Sequence, residues 1–167
     1  KRVVFVLVLM LAVSVQAANL INTGFENADG WADHVSGVWT QVANDGTWSA
    51  NAYANTGATH GGSRKVGFNQ TGRYLFTPSV NKPGVLTFWA TISSATANWT
   101  VNVEKRINGG SWTNVSSLSA SDIPWNGSDV LSYKQFTVNI NDSSNNVEIQ
   151  WYMSARSAGS FYIDDVY

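Results

Sequence analysis

Trp99-Thr100-Val101-Asn102-Val103-Glu104-Lys105-Arg106-Ile107 is the stretch that decides the fold class. Its odd positions are Trp, Val, Val, Lys and Ile, and its even positions are Thr, Asn, Glu and Arg. A two-residue period sends alternate side chains to opposite faces of an extended strand, one toward a core and one toward solvent or a ligand. The same pattern recurs in both directions along the chain. Leu86, Phe88, Ala90 and Ile92 alternate with Thr87, Trp89, Thr91 and Ser93; Phe136, Val138 and Ile140 alternate with Gln135, Thr137 and Asn139. Val147, Ile149, Trp151 and Met153 alternate with Glu148, Gln150, Tyr152 and Ser154. Turn formers separate these runs: Lys82-Pro83-Gly84, Asn108-Gly109-Gly110, Asn126-Gly127-Ser128 and Asn141-Asp142-Ser143-Ser144-Asn145. Further strands are expected over Leu20–Glu26, Val38–Val42, Trp48–Tyr53, Arg64–Phe68, Arg73–Thr77, Ser111–Val115 and Phe161–Tyr167. About ten short strands predict an all-β fold, a two-sheet antiparallel β-sandwich of the jelly-roll type.

Composition narrows the function classes. The 167 residues carry 13% charged side chains, about half the usual share of a soluble domain, and the gap is filled by Asn, Ser, Thr and Gly. With 44% hydrophobic and 13% aromatic residues the chain can bury a core, which argues against disorder. A net charge of −1 and no basic run argue against a nucleic-acid partner. Without cysteine there is no disulfide framework, thiolate nucleophile or Cys-based zinc site. His34 and His60 have no second ligand at metal spacing, and both read as surface or loop residues. No nucleophile elbow, phosphate loop or dinucleotide fingerprint is present, so the chain offers no catalytic residues and reads as a non-enzyme.

The first residues form a separate object. Lys1-Arg2 is a basic start, Val3–Val13 an apolar run, and Ser14-Val15-Gln16-Ala17 supplies the small residues that a signal peptidase reads. The apolar run is too short to span a bilayer. The expectation is a signal peptide over residues 1–17, cleaved after Ala17, and one domain over residues 18–167. Export without disulfides points to a bacterial envelope, cell-surface or extracellular protein with no membrane contact after cleavage.

The opening Asn19-Leu20-Ile21-Asn22-Thr23-Gly24-Phe25-Glu26 with Gly30-Trp31, and the closing Phe161-Tyr162-Ile163-Asp164-Asp165-Val166, resemble carbohydrate-binding modules of families four, nine and twenty-two. Gly61-Gly62-Ser63, Gly72-Arg73-Tyr74-Leu75-Phe76-Thr77-Pro78 and Leu86-Thr87-Phe88-Trp89 resemble the cleaved-adhesin or MAM-like group, with its "choice-of-anchor" surface domains. Both groups are β-jelly rolls. The resemblance implies a structural Ca²⁺ held by the first-strand acid and a last-strand acid, here Glu26 and Asp164. Backbone carbonyls near Asn44–Thr47 are candidates to complete an oxygen shell. The alternative is that both acids are solvated strand-end groups. Asp164 and Asp165, as strand neighbours, point to opposite faces unless a bulge intervenes, which makes them a poor acid–base pair.

Eight tryptophans remain to be placed. Trp31 is expected to plug the sandwich, Trp99 and Trp151 share the phase of core residues, and Trp112 reads as a hairpin rim residue. Trp89 is out of phase with Leu86, Phe88 and Ala90, and Tyr133 and Tyr152 likewise lie on polar faces. Aromatic rings among amides and hydroxyls suit sugars, whose CH-rich faces stack while hydroxyls take directional bonds. The candidate ligand-binding set is therefore Trp89, Tyr133, Tyr152, Gln135, Gln150, Asn102 and Arg106. The alternative for Trp89 is a loop that covers it. Two functions stay open. One is a secreted, non-catalytic module that binds a polysaccharide or glycan on the outer face of one sheet. The other is an adhesin or structural surface domain, in a filament or matrix, that contacts other surface proteins or copies of itself.

Overall fold

The computed structural model describes residues 21–167. The expected signal peptide, 1–17, and Leu20 lie outside the described residues. Ten strands follow in chain order: β1 His34–Ala43, β2 Gly46–Thr56, β3 Arg64–Phe68, β4 Tyr74–Phe76, β5 Val85–Ile92, β6 Asn98–Ile107, β7 Thr113–Ser119, β8 Lys134–Asn139, β9 Val147–Ala158 and β10 Phe161–Asp164. Every strand pairing is antiparallel. Ten of the eleven expected strands form, in the expected order; within the described part of Leu20–Glu26 only a single bridge forms, at Thr23. The main difference is β7, which runs on to Ser119 through serines that carry no hydrophobic phase.

The strand order is β7-β6-β9-β4-β2-β3-β10-β5-β8, with β1 paired to β2 off that path. The fold turns over at β2. Its Ser49–Asn51 segment pairs with β4, and its Tyr53–Thr56 segment pairs with β3. The result is two layers: a front layer of β7, β6, β9 and β4, and a back layer of β3, β10, β5 and β8. Between the layers lie the in-phase residues. Phe88 of β5 meets Trp151 of β9 edge to face at 5.3 Å, and Trp99 of β6 meets Phe161 of β10 at 5.0 Å. All four rings are buried, and cutting one such ring to Ala costs about 3–5 kcal/mol.

One end of the sandwich is plugged by Phe25, Trp31 and Trp48, with centroids 4.6 Å (Phe25–Trp31) and 5.5 Å (Trp31–Trp48) apart. Trp31 reaches this plug because Gly30 turns with φ 89°, where a Cβ would stand 3.2 Å from the Ala43 backbone. The first and last segments run side by side: Thr23 and Val166 exchange backbone hydrogen bonds of 3.0 and 2.8 Å.

Candidate functional site

Residues directly opposite one another in antiparallel strands share a face. The registers therefore trace rows across the outside of the front layer and onto β2 and β1. One row reads Val38–Asn51–Tyr74–Tyr152–Asn102–Ser117. The next reads Thr40–Ser49–Phe76–Gln150–Glu104–Asn114. Beyond them, Arg106 pairs with Glu148 across β6 and β9.

The face is organised from within. The Gln150 amide donates to Glu104 at 2.5 Å and the Asn102 amide donates to it at 3.2 Å, while the Ser117 hydroxyl donates to Asn102 at 3.0 Å. Arg106 grips Glu148 through two bonds of 2.7 and 3.0 Å, and hydrogen bonding to Glu148 holds its pKa above the ordinary value. The same guanidinium lies 4.5 Å from the Trp112 ring centre and 5.1 Å from that of Phe76. Phe76 in turn stacks near Tyr74, centroids 5.7 Å apart and planes at 21°. A half-buried row of rings thus runs beside fixed amides and carboxylates. Such a surface can stack an apolar ring face and exchange hydrogen bonds with hydroxyls at its rim.

Four of the seven candidate ligand residues, Tyr152, Gln150, Asn102 and Arg106, meet on this face. Trp89, Tyr133 and Gln135 do not. They lie outside the back layer, because β6–β9 and β5–β8 are separated by β4, β2, β3 and β10. The four alternating strands therefore make two surfaces instead of one. Three members of the front face escaped the sequence reading: Tyr74, Phe76 and Glu104. Tyr74 and Phe76 flank the buried Leu75, and that short alternation was the available signal.

The back face is covered around Trp89 and Tyr133, while Gln135 stays exposed. Residues 57–63 fold over it, and the His60 ring lies on Trp89 at 3.7 Å and 12°. Tyr133 donates to the Ala58 carbonyl at 3.0 Å. Beneath the loop, Lys65 donates to the Gly57 carbonyl and stands 4.8 Å over the Tyr162 ring; burial pushes its pKa down. The burial of Tyr133 raises its pKa.

Three carboxylates hold the loop. Glu26 accepts from the Ser63 amide (2.8 Å), the Ser63 hydroxyl (2.7 Å) and the Arg64 amide (2.8 Å). Asp164 accepts from the His60 and Gly61 amides at 2.9 and 3.3 Å, and Asp165 bonds the His60 ring at 2.6 Å. Asp164 and Asp165 reach one cleft because Asp165 takes φ 46°, the irregularity that neighbouring strand residues need to point the same way. A Cβ at Gly62 would stand 2.5 Å from the Glu26 carboxyl, so only glycine lets the backbone lie so close.

A calcium shell wants oxygen ligands. Here the partners of Glu26 and Asp164 are mainly N–H groups, and among the described residues no three His, Asp or Glu side chains gather at metal-binding distance. Burial first, then Asp165, pushes Asp164 up to about 7, which favours its neutral, protonated form. The Asn44–Thr47 turn is tied to the segment that follows Glu26, its Asn44 amide donating to the Asp29 carbonyl at 2.9 Å.

No protein-family model matches the sequence, and no curated protein matches it. Solved structures do. The K1 cleaved adhesin domain of the Lys-gingipain of Porphyromonas gingivalis W83 is 19% identical, with TM-score 0.59 over 87% of this chain and 95% of that one. TmCBM61, solved with β-1,4-galactotriose, is 14% identical, with TM-score 0.54 over 87% and 92%. The CBM22-1 xylan-binding domain of Paenibacillus barcinonensis Xyn10C is 9% identical, with TM-score 0.52 over 88% and 90%. At these identities the likeness establishes the fold: this chain has the β-sandwich that carbohydrate-binding modules and cleaved adhesin domains share. No helix among the described residues is long and apolar enough to cross a membrane.

Proposed function

We infer that the protein is a secreted, non-catalytic carbohydrate-binding module that takes a glycan on the outer face of its front layer. The observation that carries this reading is the row Asn51–Tyr74–Tyr152–Asn102–Ser117, which sets two half-buried rings between carboxamides and a hydroxyl across five adjacent strands. Tyr74 and Tyr152 are the stacking platforms, with Phe76 and Trp112 beside them. Asn102, Glu104 and Arg106 supply the directional bonds, and Gln150, only 5% exposed, holds Glu104 from beneath. A stacked ring contributes on the order of 1 kcal/mol beyond area burial, and each polar contact nets about 1 kcal/mol against water. Affinity is then weak, about micromolar to millimolar. Titration calorimetry against a panel of soluble polysaccharides tests the reading. Tyr152→Ala should lower affinity at least tenfold without moving the melting temperature; full affinity in that variant places the glycan elsewhere or nowhere.

The adhesin or structural reading has its own support in β1, where Val35, Val38 and Val42 are 88%, 77% and 72% exposed. It becomes the better reading if no glycan binds and the protein associates with itself or with other surface proteins. Calcium at Glu26 and Asp164 is a separate proposal. The crowding of Asp164 beside Asp165 supports it, and the amides that already fill both carboxyls argue for modest affinity. Ca²⁺ should raise the melting temperature by a few degrees and a chelator should reverse the gain. Identical melting curves would leave the two acids as anchors of the loop alone.

A further inference from the structure

The ladder between β1 and β2 breaks between His34 and Gly37, where the register shifts by a bulge. Val35 and Ser36 leave the sheet there, and bulges of this kind re-aim side chains beside functional sites. Behind the break lies an open hollow of about 530 Å³. Its polar lining comes from Asp33, His34, Ser36, Tyr53, Asn55 and Asn69. Val35 forms an apolar lip.

The chemistry of the lining is specific. Asp33 accepts from Arg64 Nε through one carboxylate oxygen at 2.9 Å, which balances its charge, and its other oxygen stays an exposed acceptor. His34 is fixed in place, stacked on Trp39 at 4.2 Å with Nε2 bonded to Gln41 Oε1 at 2.8 Å. What remains to greet a ligand is the exposed Asp33 carboxylate edge, the two exposed carboxamides of Asn55 and Asn69, and apolar surface from Val35. Carboxylate and carboxamide acceptors beside apolar surface suit a neutral, hydroxyl-rich molecule and disfavour an anion.

The hollow also connects to the front face. Asn51, Tyr53 and Asn55 lie on the same side of β2 as that strand passes from front layer to back, so the outer surface turns the corner without interruption. Arg73 stands at the junction. It donates to Asn51, the end of the aromatic row, and to the Ser36 hydroxyl of the hollow at 2.8 Å. Its Nε is buried with no hydrogen-bond partner.

We propose that this hollow is a second glycan subsite, which receives the neutral sugar units that overrun the front-face row at its Asn51 end. The proposal rests on the front-face reading above. The row from Ser117 to Asn51 crosses four inter-strand gaps, about 19 Å at the usual spacing. A trisaccharide stays on the row, and a longer chain passes Arg73 and enters the hollow.

Titration calorimetry with xylo-, cello- and β-1,4-galacto-oligosaccharides, each as trisaccharide and hexasaccharide, tests this. For the sugar series that binds, the hexasaccharide should bind at least tenfold tighter than the trisaccharide. The Asn55→Ala/Asn69→Ala double variant should lose that gain and keep the trisaccharide affinity. Both side chains are exposed, so the variant should melt where the parent does. A hexasaccharide no tighter than the trisaccharide, or a variant that keeps the gain, overturns the second subsite and leaves the front face standing. Binding of neither length in any series overturns both.

Discussion

The two outer faces of the sandwich are written in the same code and end in different states. On the front, Tyr74, Tyr152 and Asn102 alternate with buried neighbours and stay partly exposed, with Trp112 packed at the rim against Phe76 and Arg106. On the back, Trp89, Tyr133, Tyr162 and Lys65 alternate with buried neighbours too, yet residues 57–63 lie over them. Alternation reports that a side chain leaves the core. Whether it then meets solvent or a second layer is decided by loops, whose placement depends on distant anchors, here Glu26 at one end of the chain and Asp164 and Asp165 at the other. The lesson is that a polar aromatic face is a binding candidate only when nothing in the chain can supply a lid.

The comparison breaks most easily at Trp89. If the back face is structural, Trp89→Ala removes the ring under His60 and loosens the loop. The stability cost should be about 2–3 kcal/mol, below the value for a fully buried ring because Trp89 keeps part of its surface exposed. Glycan affinity should stay at the parent's value. Urea unfolding and calorimetry on one variant measure both. A stable variant that no longer binds glycan would return Trp89 to the ligand site and make the loop a movable cover.

A second test sharpens the same contrast through pH. Asp164 is fully buried, and its pKa in the folded protein is raised from 3.8 to about 7 by burial and by Asp165. The folded state therefore holds a proton that the unfolded state has already released between those values. Stability from this group is complete below about pH 4 and is lost as pH climbs toward 7, a fall on the order of 2–4 kcal/mol. Asp164→Asn should flatten that decline in urea titrations at about pH 4 and about pH 8. An undiminished decline in the variant would assign the slope to other groups.

Much of this arrangement was legible in the sequence, for identifiable reasons. Strands with a strong two-residue period, such as Trp99–Ile107 and Val147–Met153, declare themselves because one face must be apolar. The neighbourhood of Thr23 and Val166 came from the resemblance of the chain's two ends to known jelly rolls. The site was legible only in part. Alternation put Tyr152, Gln150, Asn102 and Arg106 outward, but nothing local says which strands become neighbours, so Trp89, Tyr133 and Gln135 joined the same set although β5 and β8 lie in the other layer. Tyr74 and Phe76 sit in a three-residue strand, too short for a period to stand out. The shared cleft of Asp164 and Asp165 depends on one left-handed residue, and neither aspartate is a glycine that would advertise it. His60 gave no sign that its ring would come to rest on Trp89.

The smallest expected effect concerns Glu104, and it separates binding from stability most cleanly. Its carboxylate is the common acceptor for Gln150 and Asn102, so it sets the direction in which both amides present their remaining groups. Glu104→Gln keeps the shape and removes the charge, and a neutral hydrogen bond is roughly half as strong as a charge-assisted one. On a half-exposed sheet face the stability change should be within about 0.5 kcal/mol. The amides gain freedom to turn, however, and a sugar must then fix them itself, which costs on the order of 1 kcal/mol, or about fivefold in affinity. Calorimetry of the variant beside its melting curve reads both quantities. If affinity holds while melting falls, Glu104 serves the fold, and the front face resembles the back one in kind: a polar surface kept for structure.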